Sequence, residues 1–160
     1  MAGKKDSVWV ADKIVTELQG AMTAKLTALD SEYADGITLA TIPNHHYGLA
    51  EHVQPVGFPL LYVIPESADL NPAGGEVRYG IEYHTMTVAI AVVGNEDEDD
   101  LKRRSARYVR AVQEIMVSER TLSCSVSDVL PLSRAYSPLI SSSDGLMQEA
   151  QIQLRVQTMT

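Results

Sequence analysis

The stretch from Val77 to Val93 constrains the fold more than any other part of this sequence. It is rich in β-branched and aromatic residues and contains no proline, which is typical of a β-strand. Its seventeen residues would span about 56 Å when extended. A compact domain of 160 residues has a radius of gyration of only about 15 Å. The strand is therefore expected either to bend, with Gly80 as the bulge, or to protrude as a ribbon towards a neighbouring molecule.

From His84 onwards this stretch alternates in polarity, which indicates a sheet with two different faces. The strongly apolar face is expected to carry Met86, Val88, Ile90 and Val92. The other face is expected to carry Tyr83, Thr85, Thr87, Ala89, Ala91 and Val93. An apolar sheet face has to be covered by another layer, so helices are expected on that side.

The last predicted strand, Gln148 to Thr158, alternates as cleanly. Its inward residues are Ala150, Ile152, Leu154, Val156 and Thr158. Its outward residues are Glu149, Gln151, Gln153, Arg155 and Gln157. The outward face is rich in amides and carries few charges, so it is suited to a hydrated contact with another copy of the chain.

Two amphipathic helices are predicted from apolar residues that recur at steps of three and four. The first runs from about Ser7 to Leu29, with Asp6 or Ser7 as its N-cap. The second runs from Asn95 to about Arg120, and Asn95 with Glu98 resembles a capping box. Its apolar face consists of Leu101, Ser105, Tyr108, Val109, Val112, Ile115 and Met116. Its acid–base pairs at four-residue spacing are Glu98/Lys102, Asp99/Arg103 and Asp100/Arg104.

The remaining segments supply shorter strands and loops. Strands are predicted at 36–43, 58–64, 121–129 and 135–141, whereas 44–57 shows no period. The segment Pro65 to Glu76 is predicted to be an exposed loop, and Ser141 to Gly145 a turn between the last two strands. The resulting order is α-β-β-β-α-β-β-β. We therefore predict an α+β fold in one domain, 1–160, with a mainly antiparallel sheet and both helices packed on one face.

Composition excludes several classes of protein. Lys and Arg number 13 and Asp and Glu 21, which gives a net charge of −8. The broad basic surface of a sequence-specific nucleic-acid-binding protein is therefore missing. The single cysteine, Cys124, excludes an internal disulfide and is expected to lie buried or half-buried in a strand. No apolar run is long enough to span a bilayer, and no secretory signal is expected.

No pattern of residues points to catalysis or to a bound metal. His45, His46 and His52 show no recognised ligand spacing, so they are expected in a surface loop. The acidic run at 96–100 lacks the pattern of a calcium loop, and it is explained by the N-terminal end of a helix dipole. Nucleophile-elbow and phosphate-loop motifs are missing as well. We therefore assign no catalytic, cofactor-binding or metal-binding residue and expect a protein that is not an enzyme.

The second helix carries a basic strip of Lys102, Arg103, Arg104, Arg107 and Arg110. One interpretation is a solvated face that pairs with the acids preceding it. The other is a patch for an acidic protein surface or a nucleic-acid backbone. The net charge favours the first interpretation, and within the second it favours a protein partner.

The order of elements resembles a known family. The long strand YHTMTVAIAVVGNED followed by the helix LKRRSARYVRAVQEIM is similar to the tail terminator, or tail completion, proteins of tailed bacteriophages. The likeness is concentrated between Ile81 and Met116, and the rest of the chain matches in element order and length. The loop at 44–57 has no counterpart in the family that the chain resembles.

The resemblance implies a structural virion protein of the tail or neck, assembled in the host cytoplasm. It implies a homo-oligomeric ring, usually a hexamer, that caps the tail tube and joins it to the head–tail neck. The implied partners are the tail tube protein and a neck or head-completion protein, with genomic DNA passing through the ring without specific binding. No cofactor and no membrane are involved.

The candidate assembly contacts are residues on the amide-rich face of the last strand, together with arginines and a loop asparagine from other parts of the chain. They are Gln151, Gln153, Gln157, Arg155, Asn71, Arg78, Arg103 and Arg107. Two alternatives stay open: another neck, connector or tail adaptor protein on the same fold, and a small ligand-binding or enzymatic α+β domain whose site is assembled from loops. Tail type, whether contractile or not, is not indicated by the sequence.

Overall fold

The computed structural model describes residues 5–47, 57–69, 81–94, 97–142 and 145–159. These ranges contain two helices and a six-stranded sheet. In chain order the elements are α1 (Ser7–Tyr33), β1 (Asn44–Tyr47), β2 (Leu60–Asp69), β3 (Ile81–Gly94), α2 (Glu98–Ser118), β4 (Asp128–Tyr136), β5 (Ile140–Ser142) and β6 (Gly145–Met159). The predicted order of elements and the α+β class are confirmed.

The sheet has the strand order β1-β2-β3-β6-β4, and β5 pairs with the first residues of β6. Only β1 and β2 run parallel, and the other pairs are antiparallel. The two longest strands, β3 and β6, occupy the centre and pair from Ile81 opposite Met159 to Gly94 opposite Leu146. The predicted hairpin between the last two strands is present, with Ser142 opposite Gly145.

Both helices pack on one face of the sheet and enclose the main core. Their buried residues contact the apolar alternate residues of β3 and β6, from Met86 to Val92 and from Ala150 to Val156. The predicted inward faces of both strands and the predicted placement of both helices are therefore confirmed. Burial of this main core is the largest source of stability, at about 25 cal/mol per Å² of apolar surface, and a smaller cluster of Leu60, Tyr62, Ala89 and Ala91 is buried on the other face of the sheet.

The helix ends follow local sequence chemistry, with one correction. Asp6 caps α1, and its Oδ1 accepts from the Trp9 backbone N–H at 2.8 Å. The N-cap of α2 is Asp97 and not the predicted Asn95, because the Asp97 carboxylate accepts from the N–H groups of Asp99 and Asp100. Three acids then occupy the first turn of α2, as the helix-dipole interpretation predicted.

Two predicted strands are wrong in position. Residues 37–43 are irregular, and the strand lies at Asn44–Tyr47, where the sequence shows no period. Residues 119–127 form turns, and Leu122, Ser123 and Cys124 have positive φ, so the chain reaches β4 only at Asp128. Positive φ breaks a strand, and an alternating sequence at 121–129 does not reveal it.

The predicted loop at 65–76 begins later than expected. Strand β2 continues through Pro65 to Asp69, with an irregularity between Pro65 and Ser67 that accommodates the proline. The rest of this loop, the predicted bulge at Gly80 and Val77 lie outside the described residues.

The long central strand is not an unpaired ribbon. Strand β3 pairs with β6 over its whole length and with β2 from Tyr83 to Ala91. At 14 residues it extends about 46 Å, and pairing within the chain already closes most of its backbone groups. In the described part of the chain, no helix is long and apolar enough to cross a membrane.

Candidate assembly surface

The sheet face opposite the helices carries the predicted contact residues of the last strand. Gln151, Gln153, Arg155 and Gln157 alternate along β6 with the buried core residues, so they lie on this second face, which we call the open face. Neither helix packs on the open face within the described ranges. Arg155 is exposed and the three glutamines are half-buried, so the predicted outward position is confirmed.

The centre of the open face combines amides and hydroxyls with small apolar residues, among them Ala89 of a small buried cluster that also holds Leu60, Tyr62 and Ala91. The sheet register places Gln153 between Thr87 of β3 and Ser133 of β4. It places Gln151 between Ala89 and Ala135 in the same way. The Gln153 amide and the exposed Ser133 hydroxyl at these positions can hydrogen-bond to a partner in either donor or acceptor role.

Carboxylates beside this centre are already bound within the sheet. The Glu149 carboxylate accepts hydrogen bonds from the Tyr62 hydroxyl and the Gln151 amide. Burial, together with this acceptor, raises the pKa of Tyr62 well above its ordinary value. The Thr87 hydroxyl donates to Glu66 Oε1 at 2.6 Å. These bonds hold the polar side chains of the open face in fixed orientations.

Towards the other end of the open face, the Arg155 guanidinium lies 5.3 Å from the centre of the Tyr83 ring. The depression beside it has a volume of about 40 Å³ and is lined by Tyr83, Asp128, Leu130, Arg155 and Gln157. Ligand pockets usually measure about 300–1,000 Å³. This part of the open face is therefore suited to contact with a surface rather than to enclosure of a small molecule.

The basic strip of α2 is largely occupied by contacts within the chain. Arg107 is 5 % exposed and forms a bidentate ion pair with Asp35, while its guanidinium lies 3.9 Å from the Tyr33 ring centre. Arg104 binds Asp100 and the Thr38 carbonyl. These contacts join α2 to the end of α1 and the segment after it.

The strip therefore differs from both sequence interpretations. Acids at four-residue spacing bind Lys102 and Arg104, but Arg107 and Arg110 bind Asp35 and Glu32, which are distant in sequence. Arg107 holds the pKa of Asp35 at about 2, well below its usual range. A partner surface would have to break these ion pairs to reach Arg107.

The structure thus divides the predicted contact residues into two groups. Gln151, Gln153, Gln157 and Arg155 share the open face, whereas Arg103 is exposed and Arg107 buried on α2, on the other side of the sheet. Asn71 and Arg78 lie outside the described residues.

The histidine and cysteine predictions need correction. His45 and His46 are paired residues of β1, opposite Leu61 and Tyr62, and not part of a surface loop. Burial and the neighbouring His46 lower the pKa of His45. His52 lies outside the described residues, and within those that are described no three His, Cys, Asp or Glu side chains form a cluster suited to a metal. Cys124 is exposed in a turn, whereas a buried or half-buried strand position was predicted.

A buried histidine of β3 escaped the sequence analysis. His84 is 1 % exposed and lies between the start of α1 and the end of β6. Its Nδ1 is 2.9 Å from the Ser7 hydroxyl and its Nε2 is 3.2 Å from the Thr158 hydroxyl. The strand alternation already placed His84 on the inward face, which was the available signal.

Stability is expected to fall in mild acid because of His84. Burial lowers its pKa, with Glu82 and Asp6 acting in the opposite direction. The folded protein then binds this proton less readily than the unfolded chain, so the free energy of unfolding decreases as pH falls below about 6.5. In His84→Gln, which cannot titrate, thermal melts between pH 7.5 and 5 should show a weaker pH dependence. An unchanged pH dependence would exclude His84 as its source.

An exposed sheet edge was also missed. Strands β4 and β5 both pair with β6, and β4 is the last strand in the sheet order. We call residues 128–142 the β4–β5 edge. The predicted strand at 121–129 overlaps this edge only at residues 128–129 and the one at 135–141 covers only its second half, so the exposed side chains of the edge were not recognised as one surface.

The sequence was also compared with known proteins. No protein-family model matches the chain, and no curated protein matches it.

Proposed function

We propose that this chain is a structural virion protein that caps the tail tube of a tailed bacteriophage as a homo-oligomeric ring, most simply a hexamer, and joins the tube to the head–tail neck. Two properties support the proposal. The element order is the one that the resemblance implies, and the helices leave the open face of the sheet to other contacts. The ring binds the tail tube protein on one side and a neck protein on the other, and DNA passes through it.

The observation that carries the proposal is the amide and hydroxyl strip of Gln151, Gln153 and Ser133 on the open face, whose neighbouring carboxylate, Glu149, is already bound within the sheet. Copies of a chain with a net charge of −8 repel one another, so contact is favoured where charge is lowest. Gln151, Gln153 and the neighbouring Ser133 form an uncharged part of the open face that reaches solvent. A closed ring uses the same contact in every copy and leaves no growing end.

The proposal no longer depends on an unpaired central strand, since β3 is paired on both sides. Nor does it depend on Arg107, which is bound to Asp35. It depends on the open face, so a substitution that adds one charge to this face can test it.

Gln153→Glu is expected to prevent ring formation on tail tubes. It adds one negative charge per copy at the centre of the open face, where it must be desolvated against an acidic neighbour. Gln19→Glu makes the same change at an exposed position of α1 and is the matched control. We expect at least a tenfold loss of capped tubes for Gln153→Glu and none for Gln19→Glu, counted by electron microscopy after co-assembly with the tail tube protein.

The wild-type particle tests the proposal directly. Six copies on the tail axis at the end of the tube agree with it, whereas six copies within the neck favour the connector alternative. A single copy, or copies away from the axis, would contradict ring formation. If Gln153→Glu and Gln19→Glu capped tubes equally well, the open face would not be part of the contact between subunits.

A further inference from the structure

Among the described residues, no strand pairs with the outer side of the β4–β5 edge. The Ser137 N–H donates to the Glu149 carbonyl at 2.8 Å. This bond shows which residues of the edge direct their backbone N–H and C=O groups towards β6. Bonding alternates along an antiparallel strand, so the N–H and C=O groups of Arg134 and Tyr136 point away from β6. Within the described residues β4 ends the sheet, so these groups face outward. Such a row of groups is a template for another extended strand.

The side chains of this edge are unusually apolar for an exposed strand. Four large apolar residues are between 41 % and 49 % exposed, namely Leu130, Leu132, Tyr136 and Ile140. Arg134 is the only charged residue from 129 to 142. Charges, prolines and bulges are the usual means of keeping an edge free. This edge carries one charge between residues 129 and 142, and its two prolines, Pro131 and Pro138, leave the residues between them able to pair.

We propose that this edge binds the same edge of a second copy of the chain, antiparallel about a two-fold axis that passes beside Ala135. In this register Arg134 of one copy lies opposite Tyr136 of the other. We infer another copy as the partner because one register of the edge with itself pairs Arg134 with Tyr136 on both sides of the axis and brings apolar side chains of the two copies together.

Three registers bring the outward backbone groups of the two copies together. A register centred on Arg134 places two guanidinium groups opposite each other, which is unfavourable. A register centred on Tyr136 places Arg134 opposite Pro138, which has no N–H to donate. The register centred on Ala135 pairs each Arg134 with a tyrosine ring, a favourable cation–π contact, and forms about four backbone hydrogen bonds.

The same register also matches the apolar side chains. Leu130 and Ile140 flank the pairing segment at its two ends, and the pairing with β6 places both on the open face of the sheet. About the axis at Ala135, Leu130 of one copy therefore lies at the same end of the pairing segment, and on the same sheet face, as Ile140 of the other. Two-fold dimers of this kind are the commonest closed oligomers. The inference concerns the free protein and does not rest on the proposed ring.

A cysteine at the axis tests the register. In a Cys124→Ser background, Ala135→Cys places two thiols on opposing residues of a non-hydrogen-bonded pair, where Cα atoms are about 4.5 Å apart and a disulfide fits. Ser133→Cys is the matched control, because it is exposed on the same strand but lies opposite Ser137 of the other copy. Under mild oxidation we expect disulfide-linked dimers from Ala135→Cys and at least tenfold fewer from Ser133→Cys.

A charge change tests the partner. Arg134→Glu should weaken the dimer at least tenfold in sedimentation velocity, whereas Arg103→Glu, the same change on exposed α2, should leave its dissociation constant unchanged. The inference would be overturned if the Ser133→Cys and Ala135→Cys variants cross-linked equally. It would also be overturned if the wild-type chain stayed monomeric at 0.5 mM and Ala135→Cys did not cross-link. Both measurements use free protein, so a negative result in them would not contradict the proposed ring on the tail tube.

Discussion

Leu154→Ala is expected to lower the free energy of unfolding by about 2–5 kcal/mol. Leu154 has no exposed surface and lies in the middle of β6, opposite Met86 of β3 and Pro131 of β4, under the helix layer. Truncation removes apolar contacts and leaves a cavity that the two neighbouring strands cannot close. Urea unfolding followed by circular dichroism measures the change.

Gln153→Ala is the matched control, one residue earlier on the same strand. Its side chain lies on the open face, so we expect a loss below about 0.5 kcal/mol in the free monomer. Similar losses for the two variants would contradict the division of β6 into a core face and an open face.

Asp35→Ala is expected to lower the melting temperature more than Arg107→Met does. Arg107 is nearly fully buried, and removal of its carboxylate partner leaves a desolvated cation against Tyr33. Arg107→Met removes the cation and keeps apolar volume, and the Asp35 carboxylate left behind still reaches water. Differential scanning calorimetry at pH 7 compares the two variants with wild type.

The stabilisation by the ion pair between Asp35 and Arg107 should also be lost in strong acid. Because the pKa of Asp35 is lowered to about 2, its contribution is present above about pH 4 and is lost as pH falls towards 2. The difference in melting temperature between wild type and Asp35→Ala should therefore shrink over that range. A constant difference from pH 5 to 2 would show that the loss in Asp35→Ala comes from something other than the ion pair.

Elements with a strong period were predictable from the sequence. Apolar steps of three and four placed both helices, and α1 continues only four residues beyond the predicted Leu29 to Tyr33. Alternation separated the two faces of β3 and β6, because a side chain in a strand points to the face opposite its neighbour's. For the same reason the outward position of Gln151, Gln153 and Gln157 was correct.

Elements that depend on a distant partner were not predictable. The segment NHHY becomes β1 because β2 lies beside it in parallel register, and nothing local in those four residues requires a strand. Strand β4 contains Pro131 and an irregularity beside it, and pairing with β6 keeps it extended. Arg107 belongs to a basic strip in the sequence, but it is buried because the fold brings Asp35, 72 residues away, into contact with it.

The sequence by itself determined the class, the order of elements and the polarity of the two long strands, since these follow from the spacing of apolar residues within single elements. The tertiary structure decided which surfaces are left for other molecules. It buried Arg107 of α2 against Asp35, paired Arg110 with Glu32, and left the edge between Asp128 and Ser142 without a neighbour in the described sheet. Availability of a surface depends on contacts between elements far apart in the chain, and no local pattern of residues records those contacts.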